Sequence, residues 1–158
     1  MVTPRFAIST TETLLEALQV LVDSDKSLAI QTHISENLAE VQKVKDLFQH
    51  LWPGEPVTYA QVYDHYDLLR HNTILAHAVH LEESELELVK KRKCGISHCP
   101  TSNFNLTSGV AKIGDMLDRG IKVNLAGFVR LHKSIPDLND SPGRPRDRRF
   151  WWILTFDS

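Results

Sequence analysis

Three short apolar stretches of this chain each end in a histidine. Leu28-Ala29-Ile30-Gln31-Thr32-His33 is the first, and Glu36 follows it by three residues. Thr73-Ile74-Leu75-Ala76-His77 is the second and Cys94-Gly95-Ile96-Ser97-His98 the third. Imidazole is the commonest metal ligand in proteins and titrates near neutral pH. A carboxylate beside an attacking water takes its proton and returns it to a leaving group. A metal at such a place lowers the pKa of its water to about 7, which supplies hydroxide under physiological conditions. A lone strand-end histidine usually completes a hydrogen bond in a core. Two in register with a trailing glutamate suit a catalytic pocket better, and His33, Glu36 and His77 have the residue types of hydrolytic chemistry.

That chemistry needs parallel strands to carry it. Side chains at the carboxyl ends of such strands converge on one mouth. His33 and His77 are expected at equivalent levels on neighbouring strands about 4.8 Å apart, with Glu36 in the loop above. Helix-length segments separate the strands. Ser9 with Glu12 fits a capping box, and Leu14, Leu15, Leu18, Leu21 and Val22 then form one apolar face. Asn37 with Glu40 fits a second N-cap, before a stripe of Leu38, Val41, Val44, Leu47 and Phe48. Trp52-Pro53-Gly54-Glu55-Pro56 breaks that helix, and a further one is expected over Thr58–Leu69. Leu81, Leu86 and Val89 mark a shorter helix ending in Lys90-Lys91-Arg92-Lys93, where cations complement the helix dipole. Cys99-Pro100-Thr101-Ser102-Asn103 reads as a loop, Ser108 as a cap, and Val110, Ile113 and Leu117 as the next apolar face. Gly120 stops that helix before a last strand, Ile121–Leu125. Alternating strand and helix implies an α/β fold with a parallel sheet and right-handed crossovers.

Composition bounds the alternatives. With 42% apolar and 24% charged residues and a formal charge of −2, the 158-residue chain has the profile of an ordinary globular protein. Nothing in that balance selects nucleic acid or a membrane surface. No apolar run is long enough to span a bilayer, Met1–Arg5 does not open a signal peptide, and the cytoplasm is the expected compartment. Cys94 and Cys99, five residues apart, point to opposite faces of a strand and are expected as free thiols. His50, His65, His71 and His132 lie in polar contexts and are expected to be solvated.

The segments Pro4-Arg5-Phe6, Thr32-His33-Ile34-Ser35-Glu36, Leu75-Ala76-His77 and Ser97-His98-Cys99-Pro100-Thr101-Ser102-Asn103 occur in that order. Together they resemble the amidohydrolase superfamily and, through Pro4-Arg5-Phe6, its guanine deaminase group. The likeness runs from about Val2 to Leu125. It implies a metal-dependent TIM-type (β/α) barrel, here in part, from the fourth strand to the eighth. The implied activity is the zinc-dependent hydrolysis of guanine to xanthine and ammonia. The implied metal ligand is His33, and His33 and Glu36 also belong to the substrate-binding set. Glu36 is the implied proton shuttle, and His77 orients the attacking water. Arg5 grips the oxygen edge of the purine and Phe6 packs on its face. No direct metal contact is implied for His98. A homo-oligomer of the family's kind is the implied assembly.

Two departures go with the resemblance. The family's histidine-x-histidine pair on the first strand has no counterpart in the sequence. Nor does its metal-binding aspartate after the eighth strand, because Val123-Asn124-Leu125 runs on into Ala126-Gly127-Phe128-Val129. Of the family's four protein ligands only His33 is matched, whereas a catalytic zinc takes three. The expectation is an incomplete form with little turnover alone, made of a barrel segment over 1–126 and an irregular tail over 127–158. The tail carries a basic run at Arg144–Arg149 and an apolar Phe150–Phe156, but the domain as a whole is not basic enough for an RNA-binding arm. Two other readings stay open. An aminohydrolase for another heterocycle would keep His33, Glu36 and His77 and use Arg5 and Phe6 only for packing. A catalytically inactive fragment would bind a full-length subunit or another protein.

Overall fold

Residues 1–126 are described by the computed structural model; the expectations for the 127–158 tail, and for His132, lie outside them. The sheet consists of β1 (Ile30–Ile34), β2 (Thr73–His77), β3 (Gly95–His98) and β4 (Lys122–Leu125), all parallel and in sequence order. Ahead of β1, Val2 forms a parallel bridge to Ile30, and His33 donates its backbone N–H to the Arg5 carbonyl at 3.0 Å. The segment before the first helix therefore runs along the outer edge of β1 and delivers Arg5 and Phe6 beside His33. Such ladders leave one sheet face under the helices, and Ile30, Thr32, Ile34, Leu75 and Ile96 fill it.

The helices are α1 (Glu12–Ser24), α2 (Leu38–Phe48), α3 (Tyr59–His65), α4 (Glu83–Lys91), α5 (Pro100–Asn105) and α6 (Ile113–Asp118). Their starts follow local chemistry. Asn37 and Glu40 form the expected capping box on α2, and Thr58 and Gln61 form one on α3. On α1 the cap is Thr11, which accepts from the Leu14 N–H, rather than Ser9, whose hydroxyl turns back to the Phe6 carbonyl. Lys90 and Lys91 occupy the last turn of α4. Gly120, at φ +79°, closes α6 in a conformation that costs glycine little. Both cysteines are free. No helix among the described residues is long and apolar enough to cross a membrane.

Several expectations are corrected. Leu14 and Leu21 of α1 and Leu38 and Leu47 of α2 are exposed, so the sheet covers a narrower stripe than the periodicity suggests: Leu15 and Val22 on α1, and Val41, Val44 and Phe48 on α2. The Thr58–Leu69 helix ends at His65, and Leu68 and Leu69 are buried in the irregular segment after the turn that follows. The Cys99–Asn103 loop is instead the start of α5, with Pro100 in the first turn, where its fixed φ and missing N–H suit a helix. Ser108 does not cap α6. Its N–H goes to the Asn103 carbonyl and its own carbonyl accepts from His80 Nε2 at 2.7 Å. Met116, not Val110 or Leu117, is the side chain α6 buries most deeply. His50, His65 and His71, by contrast, are exposed as expected, and His50 pairs with Glu12 at 3.0 Å.

Candidate active site

Strand alternation places His33 in a row that crosses the sheet. Its register partner is Ala76, Ala76 pairs with Ser97, and Ser97 pairs with Asn124. His77 pairs with Ile34, so the two histidines are one residue out of register and not at equivalent levels as expected. Alternation alone would turn His77 to the opposite face, beside the fully buried Ile34. The backbone prevents this. His77 and Ala78 take left-handed conformations, with φ of +73° and +51°. Neither is glycine, and a non-glycine residue there carries a cost the surroundings must hold in place. The result is that the His77 ring stacks on His33, centroids 5.0 Å apart and planes 24° from parallel.

The turns that carry Glu36 and His77 are locked to one another. Ala78 donates to the Ile34 carbonyl at 3.0 Å, and Val79 and His80 donate to the Ser35 carbonyl at 3.1 and 3.0 Å. Glu40, buried in the first turn of α2, accepts the Glu36 N–H at 2.9 Å and the Asn37 N–H at 3.3 Å through Oε2. This leaves the Glu36 side chain over the sheet edge. Its Oε1 lies 3.4 Å from His77 Nδ1 and 3.5 Å from the Ser102 hydroxyl. Asn103, 1% exposed on α5, puts Oδ1 2.8 Å from the same His77 Nδ1.

On the other side His33 Nδ1 donates to the Arg5 carbonyl, which leaves Nε2 as the acceptor nitrogen. A hydrogen-bonded Nδ1–H with a free Nε2 is how protein carbonyls orient metal-binding histidines. Behind His33, the Tyr63 hydroxyl donates to its backbone carbonyl at 2.9 Å and lies 2.9 Å from Thr32 Oγ1. Burial raises the Tyr63 hydroxyl well above its ordinary pKa, so it stays a neutral donor. The Arg5 guanidinium lies over the Phe6 ring, 5.2 Å from its centroid, Arg5 exposed and Phe6 half-buried. His98 stands half-buried at the end of β3; burial, and then the neighbouring His77, lower its pKa.

His33 therefore fits the part of one zinc ligand. A catalytic zinc takes three protein ligands, and no group of three or more potential ligands converges among the described residues. These residues do not make up a metal site by themselves. What the arrangement offers without an ion is a carboxylate, two imidazoles with their Nδ1 sides engaged, and a polar row along the sheet. In or beside that row Gln31 Oε1, His98 Nδ1, Asn103 Nδ2 and Asn124 Oδ1 are buried without a partner among the described residues. Asn103 and Ser102 belong to a motif the sequence displays, but no role could be read for them there. The proline at the start of α5, which turns a loop into a helix, was the available signal.

Known proteins resemble this chain in both sequence and fold. A probable guanine deaminase of Schizosaccharomyces pombe is 54% identical over 129 residues, covering 82% of this chain and 23% of the relative. The guanine deaminase of Dictyostelium discoideum is 44% identical over 82% of this chain and 27% of its own length. A guanine deaminase of C. acetobutylicum, solved with guanine bound in its active site, superposes with a TM-score of 0.72 at 38% identity, over 79% of this chain and 29% of that one. The chain thus spans about a quarter of the length of the curated relatives it matches. The family model of the amidohydrolases matches residues 1–126, the whole of the described sheet with its covering helices, and the chain belongs to the amidohydrolase family.

Proposed function

We propose that residues 1–126 carry the proton-handling and purine-gripping part of a guanine deaminase site, one that hydrolyses guanine to xanthine and ammonia. The observation that carries the reading is the Glu36 Oε1 to His77 Nδ1 contact at 3.4 Å, at the sheet edge beside the strand that bears His33. It gains support from relatives named guanine deaminase at 54% and 44% identity. In this reading His77 Nε2 accepts a hydrogen bond from the water and aims it at the carbon bearing the amino group. Glu36 takes the water proton as the C–O bond forms, then gives it to the amino nitrogen as the C–N bond breaks and ammonia leaves. A positioned acid–base group of this kind contributes about 10²–10⁴-fold. Arg5, whose fork donates two parallel hydrogen bonds, reads the purine oxygen edge, and the Phe6 ring packs on its face. His33 Nε2 would give a zinc ion one bond, with groups outside this set supplying the rest, and the bound ion would lower the pKa of the attacking water. The reading further takes 127–158 as a separate divergent tail and the working compartment as the cytoplasm.

The test exchanges residues 1–126 for the matching segment of a complete guanine deaminase. The chimera is expected to deaminate guanine and to leave pyrimidines and triazines untouched. Arg5→Lys replaces the planar fork by a point charge, so KM for guanine should rise, and Arg5→Ala should be worse. A folded chimera that prefers another heterocycle, or unchanged guanine kinetics in Arg5→Lys, would refute the substrate assignment.

A further inference from the structure

We infer that Asn103 is a positioning residue that sets the tautomer of His77, keeping the proton on Nδ1 so that Nε2 remains an acceptor. The inference rests on the reading above, in which Nε2 orients the water. Two oxygens face His77 Nδ1: Asn103 Oδ1 at 2.8 Å and Glu36 Oε1 at 3.4 Å. A lone pair on Nδ1 would confront both, whereas an N–H satisfies the nearer and leans toward the other. The carboxylate also settles which amide atom faces the ring, because it can only accept from the nitrogen they share. Were the amide NH₂ turned to the imidazole, Glu36 would face a bare nitrogen.

The amide is held rigidly for this purpose. Asn103 is 1% exposed and His77 5% exposed, so water does not compete for the bond. The Asn103 N–H donates to the Cys99 carbonyl at 3.0 Å, and its carbonyl accepts from Ser108 at 2.8 Å, which fixes the side chain's origin. The left-handed backbone at His77 brings the ring to this acceptor, across 26 residues of sequence. The amide also leaves its own Nδ2 buried without a partner among the described residues. An asparagine serving packing alone would be expected to satisfy both ends of its amide. The bond to His77 is the one it keeps.

Tautomers are read directly by long-range ¹H–¹⁵N correlation in the histidine-labelled chain, at a pH where the ring is neutral, with no activity needed. His77 is expected to be Nδ1–H. Asn103→Leu, similar in size and without an acceptor, should lower the Nδ1–H to Nε2–H ratio about fivefold, the equivalent of one ordinary hydrogen bond. Asn103→Asp keeps the acceptor and should keep Nδ1–H, a rescue that mere packing would not produce. An Nε2–H ring in the wild-type chain would overturn the inference. So would an unchanged ratio in a folded Asn103→Leu, and so would a switch to Nε2–H in Asn103→Asp. Should Asn103→Leu fail to fold, the wild-type and Asp spectra decide. A failure of guanine turnover in the chimera leaves these spectra unaffected, so the two readings fail separately.

Discussion

Removing the Glu40 carboxylate should loosen the turn that aims Glu36. The side chain is 7% exposed, and its Oε2 takes two backbone N–H groups, from Glu36 at 2.9 Å and Asn37 at 3.3 Å, at the start of α2. Hydrogen bonds to a charged partner are worth about 1.5–3 kcal/mol each in mutational series. The longer bond belongs at the bottom of that range or below it. A carboxylate at a helix N-terminus adds about 0.3–1 kcal/mol. Glu40→Ala is therefore expected to lose about 2–4 kcal/mol. At about 4 °C per kcal/mol for a domain of this size, Tm should fall by about 8–16 °C. Glu40→Gln keeps an acceptor oxygen that both N–H groups can reach and should lose only about 1 kcal/mol. Denaturant unfolding measures the loss as a shift of midpoint at constant slope. Hydrogen exchange adds the location, since the Glu36 and Asn37 amides should lose protection in Glu40→Ala before those of β1. A loss under about 0.5 kcal/mol, with both amides still protected, would show that the turn is held by something else.

Glu85, buried in the first turn of α4, accepts from the backbone N–H groups of Ala60 and Glu82, and burial holds its carboxyl above the ordinary carboxylate range. A folded-state value above the unfolded one means the folded chain binds the extra proton. Its contribution is thus fullest below about pH 4.5, the ordinary value, and is lost as pH rises through the folded one. Glu85→Gln should flatten that part of the stability profile, and an unchanged slope in pH-dependent denaturation would contradict it. Burial pushes the Cys94 thiol up to about 12 and also raises Cys99, which is only half-buried. An aromatic disulfide reagent should modify Cys99 first and reach Cys94 only on unfolding, whereas equal rates in the folded chain would refute the burial of Cys94.

Much of the sheet was legible in the sequence, since an apolar run that ends in a polar residue marks a buried strand at its working edge. The Thr73–His77 strand has the bounds its residues suggest, and Asn37 with Glu40 caps α2 as their spacing implies. Periodicity was less informative about burial. It identifies a helix face but not how much of it a neighbour covers, hence the exposure of Leu14, Leu21, Leu38 and Leu47. Six-residue α5 is too short to show a period, and Cys99-Pro100 suggests a turn until the proline is taken as a first helical residue. The stacking of His77 on His33 could not be read at all. It depends on left-handed backbone at two residues that are not glycine, and on an asparagine 26 positions away. Both are products of tertiary packing rather than of local preference.

In the proposed reaction Glu36, held beside His77, moves the proton between water and leaving amine. Glu36→Gln in the chimera tests it most directly, because the amide is nearly the same size but cannot accept and return a proton. Metal content and KM should be unchanged, with kcat lower by about 10²–10⁴-fold. Turnover near that of the parent chimera, in a variant that folds and retains its metal, would contradict it.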